Sequence, residues 1–207
     1  MQTFPAPTAT PLVARRGWLR WLPTALKELA GRRELLWNMT VRGVKSQYQQ
    51  SILGYAWAVL NPLLQMAVLT FVFSTLLNLF SLGYPYPLFL YVGLLPWTFF
   101  SHAVASATDS VAGSASLITK VYFPREILPI AAVLGKVVDL AFGALVLVSL
   151  FVLYRHSLSL MVLWVPVIFA IQLIFTVGVS LPLAALNLFY RDIRYLVGVA
   201  LMLWMYL

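Results

Sequence analysis

Between Ser46 and Thr108 the chain carries no Asp, Glu, Lys or Arg. Two long apolar runs fill this stretch, Ile52 to Phe80 and Pro87 to Ala107, with Ser81-Leu82-Gly83-Tyr84-Pro85-Tyr86 between them. A bilayer core of about 30 Å takes about 20 apolar helical residues to cross. Each run is long enough, and the Gly and Pro of the break suit a tight turn. The pattern predicts a membrane hairpin with spans at about 51–80 and 87–108. Two more uncharged or sparsely charged runs predict spans at about 127–154 and 160–188. From Tyr195 the chain is apolar again to Leu207, too short at about 1.5 Å per residue to cross. The expectation is a fifth span cut off at 195–207, in a sequence that is a fragment of a longer chain; completion of the span by partners is the alternative.

Ahead of the hairpin the pattern changes to amphipathic. Leu26, Leu29, Leu36, Trp37, Val41 and Val44 recur at helical spacing, with Lys27, Glu28, Arg32, Arg33, Glu34, Arg42 and Lys45 between them. Such a helix beside a span lies in the headgroup layer, so 24–48 is expected to be interfacial. Glu28, Arg32, Arg33 and Glu34 form its charged face, and Trp37 anchors it. An ordinary solvated linker helix is the alternative. Residues 1–22 hold Pro5, Pro7 and Pro11 and three arginines but no apolar core of a signal peptide. They are expected to be a flexible cytoplasmic arm, followed by one transmembrane domain over 23–207.

Within the spans several residues break the apolar rule. Pro62 follows Asn61, and Pro96 stands in Gly93-Leu94-Leu95-Pro96-Trp97. A helical proline removes a donor and kinks the helix, which a membrane tolerates where protein or a wet cavity serves the freed groups; plain bending for packing is the other reading. Lys136 and Asp139 lie three apart, on one face of the third span. An isolated charge at the bilayer centre costs about 2.5–3.5 kcal/mol on insertion scales, so the two are expected to pair, as a functional site or as a salt bridge between helices. The fourth span carries Gln172, Gly178, Ser180 and Pro182, residue types of helix packing in lipid. In the loop Lys120-Val121-Tyr122-Phe123-Pro124-Arg125-Glu126, Pro124 suits a first helical position and Glu126 the first turn.

Composition agrees with the pattern. The 207 residues are 62% hydrophobic and 10% charged, against about 25% charged in soluble domains, and the mean hydropathy is +0.90. The fold class is therefore all-α: a polytopic helical membrane bundle of four complete spans and a clipped fifth. The net charge of +8 is distributed, not patched. Of the 14 Lys and Arg, all but Lys136 and Arg155 precede the first span or lie in the loops after the second and fourth. By the positive-inside rule these ends face the cytoplasm. The charge reports topology, and no nucleic-acid partner is expected.

Much chemistry is excluded. The sequence has no cysteine, so disulfides and thiolate metal sites are out. It has no G-x-x-x-x-G-K-[ST], no H-E-x-x-H and no G-x-S-x-G. No catalytic residue, metal or cofactor is called for. His102 reads as a packed residue, not a general base, and Asp109 with Asp139 would form a carboxylate pair only if the second and third spans lay side by side. Tyr55, Trp57, Trp97 and Phe100 are interfacial anchors, or else ring faces offered to a sugar whose C–H surface is apolar.

Five motifs in register then carry a resemblance: Ser51-Ile52-Leu53-Gly54-Tyr55-Ala56-Trp57, Leu60-Asn61-Pro62-Leu63, Gly93 through Phe100, Lys120 through Pro129, and Leu186-Asn187-Leu188-Phe189-Tyr190-Arg191-Asp192-Ile193. From about residue 24 to its end the chain resembles the permease subunit of bacterial ABC-2 type polysaccharide exporters, which serve O-antigen, capsule and teichoic acid export. The resemblance implies six spans, a homodimer in the inner membrane, and separate cytoplasmic P-loop ATPase subunits. It also implies a lipid-linked glycan passing between two permeases, with part of the path built by segments beyond this sequence. On that footing Lys120, Tyr122, Phe123, Pro124, Arg125 and Glu126 are expected to form the loop that feels the ATPase, beside the interfacial helix, with membrane lipid as the remaining partner. The rival readings are an ABC-2 exporter of a drug or lipid, an intramembrane transferase, and a structural membrane anchor.

Overall fold

The computed structural model describes residues 31–49, 54, 56–76, 85–114, 123–155 and 160–207. The chain divides into two units, 1–35 and 36–207. Of the first, the described residues are 31–35, among which Arg32, Arg33 and Glu34 are exposed. The expected arm 1–22 and the first turns of the expected interfacial helix, Glu28 included, lie outside the described residues.

Among the described residues every regular element is a helix. α1 is Arg33–Tyr48. α2 is Ala56–Thr70 and continues as a π-helical turn over Phe71–Leu76. α3 is Tyr86–Gly113, α4 Ile127–Leu153, α5 Val165–Phe189 after a 3-10 turn at Leu160–Trp164, and α6 Ile193–Tyr206. Four of these are long and apolar enough to cross a membrane, over Ala56–Ser74, Tyr86–Gly113, Ile127–Leu153 and Val162–Phe189. The protein is an all-α, multi-pass membrane bundle, as the apolar runs predict.

Two boundaries differ from the sequence expectation. α3 runs five residues past Thr108 to Gly113, and buried Asn187 reaches it where the charge returns: its Nδ2 donates to the Thr108 carbonyl at 3.0 Å and to Asp109 Oδ1 at 3.2 Å. α4 begins at Ile127 with Glu126 as N-cap, so Pro124 is not its first residue. Pro124 instead supplies the carbonyl that receives the Ile127 N–H at 3.2 Å.

α3 is the pillar of the bundle, packing against α4 and α5 most extensively and against α2 and α6 as well. Leu88, Tyr91 and Leu95 meet Val146 and Leu150 of α4. Phe99, Ala103 and Ala107 pack with Val133 and with Phe169, Leu173 and Val177 of α5. Phe100 and Val104 close on Val197 and Leu201 of α6. Gly143 lets α3 and α4 approach closely: a Cβ there would stand 2.4 Å from Leu95 Cδ1, and the Tyr91 hydroxyl donates to the Gly143 carbonyl at 3.1 Å. The outward faces are apolar, as at Leu145, Val148, Ile168, Ile171 and Ile174. That is the surface a lipid-facing bundle needs.

Candidate functional site: a polar crevice between the spans

The sequence puts polar residues on three spans at helical spacing. α2 contributes Asn61 and Gln65, four apart. α3 contributes Thr98, His102 and Ser106 at the same stride, and α4 contributes Lys136 and Asp139. Residues three or four apart share a helix face, so each set forms a stripe. The fold turns the three stripes toward one another around a crevice of about 390 Å³. Gln47 and Tyr48 at the end of α1 close it on one side, while Trp57 and Phe99 supply aromatic wall.

The charged centre is held by four side chains from two elements. Lys136 Nζ donates to Asp139 Oδ2 at 3.1 Å and to Gln47 Oε1 at 2.7 Å. Gln47 Nε2 donates to the Tyr48 hydroxyl oxygen at 2.9 Å and to Asp139 Oδ2 at 3.3 Å. The Tyr48 hydroxyl donates to Asp139 Oδ1. Lys136 and Asp139 thus pair as their spacing predicts, and the pair also clasps the end of α1 to α4. The α1 face that packs inward is Leu36, Thr40, Val44 and Tyr48, with Thr40 and Tyr48 buried, while Trp37 is 68% exposed.

The two prolines sit in different surroundings. Pro62 has no N–H for the carbonyl of Ala58, four residues back, and both residues line the crevice. At Pro96 the neighbouring helix intervenes, with Gln172 Nε2 donating to the Pro96 carbonyl at 2.7 Å. The proline of α2 thus faces a polar cavity, one of the circumstances in which a bilayer tolerates such a break, while the bond from Gln172 ties α3 to α5 beside its own proline.

The other residues singled out by sequence are dispersed. Trp57 lines the crevice, 39% exposed. Trp97 and Phe100 stand in a ring cluster with Phe175 and Trp204, at centroid separations of 5.7 to 6.3 Å. Tyr55, Lys120 and Tyr122 lie outside the described residues. Phe123 is buried, Pro124 half-buried, and Arg125 and Glu126 are exposed. α4 does lie beside α3, yet Asp109 bonds to Asn187 while Asp139 bonds to Lys136, Gln47 and Tyr48. Sequence reasoning passed over Gln47, Asn61, Gln65 and Asn187 as site residues. The four-residue stride of polar positions inside apolar helices is the signal that finds the α2 pair. Among the described residues no group of His, Asp and Glu is placed to hold a metal ion.

A multi-pass helical membrane protein with a polar crevice between its spans is the class these features define. No protein-family model matches the chain. It is 33% identical over 181 residues, 87% of its length and 69% of the relative's, to an O-antigen export system permease protein of Myxococcus xanthus. Two permeases of the same name from Klebsiella pneumoniae are 33% and 34% identical over 174 residues, 84% of this chain and 66% of each relative. The chain belongs to this family, the transmembrane permease subunits of ABC-2 type exporters, and spans about two thirds of the length of these relatives.

Proposed function

We propose that the chain is the permease of an exporter that moves a lipid-linked polysaccharide out across the bacterial inner membrane. Two copies form the passage, and a separate cytoplasmic P-loop ATPase drives it. The observation that carries this reading is the relationship to permeases named for O-antigen export, which runs through 87% of the chain. The basic loops support a cytoplasmic N-terminus. The segment around Arg125 and Glu126, exposed at the head of α4, is the part we assign to contact with the ATPase, together with Lys120 and Tyr122 and the basic face of α1. ATP hydrolysis belongs to the partner, and this subunit contributes the path.

The path needs polar groups inside an apolar bundle, and the crevice supplies them. The test is removal of the gene from its host, with and without a plasmid copy, and measurement of surface polysaccharide. The expected result is loss of long glycan from the surface with accumulation inside, restored by the plasmid. Normal surface glycan together with loss of export of a drug or a lipid would overturn the reading.

A further inference from the structure

The crevice contains polar groups that the protein itself does not use. Among the described residues, the amides of Asn61 and Gln65 and the imidazole of His102 make no hydrogen bond, although all three stand on membrane-spanning helices and line the cavity. Polar groups on membrane-spanning helices are costly in lipid unless partnered or wet. Lys136, bonded to Gln47 and Asp139, keeps one of its three donors for something else. Ala58, whose carbonyl loses its helical donor to Pro62, lines the same space. At about 390 Å³ the cavity falls in the size range of small-molecule sites, about 300–1,000 Å³.

The chemistry of the walls selects the occupant. Amide donors and acceptors, an imidazole and one lysine N–H match a molecule carrying hydroxyls at several angles. The indole of Trp57, partly exposed and lining the crevice, matches an apolar ring surface. A pyranose has both features. Among the described residues, the charged side chains lining the crevice are one cation and one anion in contact, Lys136 and Asp139 at 3.1 Å, so their charges cancel. An anionic sugar would shed its hydration and meet the Asp139 carboxylate with no net attraction to offset it.

We propose that this crevice is a sugar-binding subsite within each permease copy, and that it takes uncharged pyranose units and discriminates against uronic acids. The proposal rests on the export reading and adds where one sugar is held and of which charge class. Asn61, Gln65 and Trp57 contact the sugar. Asp139 sets the charge preference by neutralising Lys136.

The test uses the full permease with its ATPase subunit in lipid nanodiscs, with mannohexaose as the neutral probe and hexagalacturonate as the acidic one. Mannohexaose is expected to bind about tenfold more tightly than hexagalacturonate, a difference of about 1.4 kcal/mol. Asn61→Leu with Gln65→Leu breaks no hydrogen bond among the described residues and keeps the span apolar, so it should express normally and weaken mannohexaose about tenfold. Asp139→Asn, which leaves Lys136 uncompensated, should strengthen hexagalacturonate and narrow or reverse the preference. Unchanged mannohexaose binding in the Asn61/Gln65 variant, or equal binding of the two probes by the wild type, overturns the subsite. If neither probe binds while loss of the gene still abolishes surface glycan, the subsite is overturned and the export reading stands. Intact surface glycan without the gene overturns both.

Discussion

Asp139 accepts from three neighbours, Tyr48, Gln47 and Lys136, and its replacement strands all of them at once. Asp139→Ala leaves a cation inside the bundle with one neutral partner. The side chains of Lys136 and Asp139 are 16% and 22% exposed, so the loss should stay below the about 3–5 kcal/mol of a fully buried broken pair. About 1–3 kcal/mol is expected, read from thermal unfolding in detergent. Lys136→Met combined with Asp139→Leu should cost less than Asp139→Ala alone, because no orphan charge remains; a larger cost would show that the pair does more than neutralise itself. Gly143 gives a second prediction from packing. Gly143→Val places a branched side chain where Leu95 already stands, at 2.4 Å for the first carbon alone, and should destabilise by about 1–3 kcal/mol in the same assay. The partnership of Lys136 with Asp139 was legible from their spacing. The roles of Gln47 and Tyr48 were not, because they lie about ninety residues away and helix rotation alone decides whether they arrive.

At the scale of the element, the long apolar runs translate directly into helices, since a lipid-facing backbone must satisfy its own hydrogen bonds. That is why α2, α3, α4 and α5 fall where hydropathy puts them. Helix ends are harder to read, as α3 shows: it outlasts its apolar run to Gly113, since a helix's own backbone bonds continue whether or not its side chains are apolar. Which face of α1 turns inward was also hidden, since Thr40 and Tyr48 pack while Trp37 stays out. Two predictions belong here. Gln172→Leu removes the tie from α5 to α3 at Pro96 and should cost about 0.6 kcal/mol, the usual size of such bonds between spans, measured as a fall in unfolding free energy in mixed micelles. Reversing the charges of Arg125 and Glu126 together, exposed at the head of α4, should lower glycan export and permease-stimulated ATP hydrolysis about tenfold. Unaltered rates at normal expression would remove this segment from the coupling surface.

For the molecule as a whole, orientation is the quantity on which the export reading turns. A single thiol introduced into this cysteine-free sequence reports the side on which it lies, read against the unsubstituted protein. Arg155→Cys should react with an impermeant maleimide in cells whose outer membrane alone is opened. Arg125→Cys should react only after the inner membrane is broken. The reverse pattern would invert the bundle and detach the basic loops from the ATPase side. Of the site, the sequence disclosed the stripes on each helix but not their convergence, which arises only once α1 through α4 are packed. Asn187 binds α3 at residues 108 and 109 from a position just ahead of the turn at Arg191 and Asp192. One amide thereby rivets the exit of the second span to the exit of the fourth, so a shove delivered to either loop is borne by both.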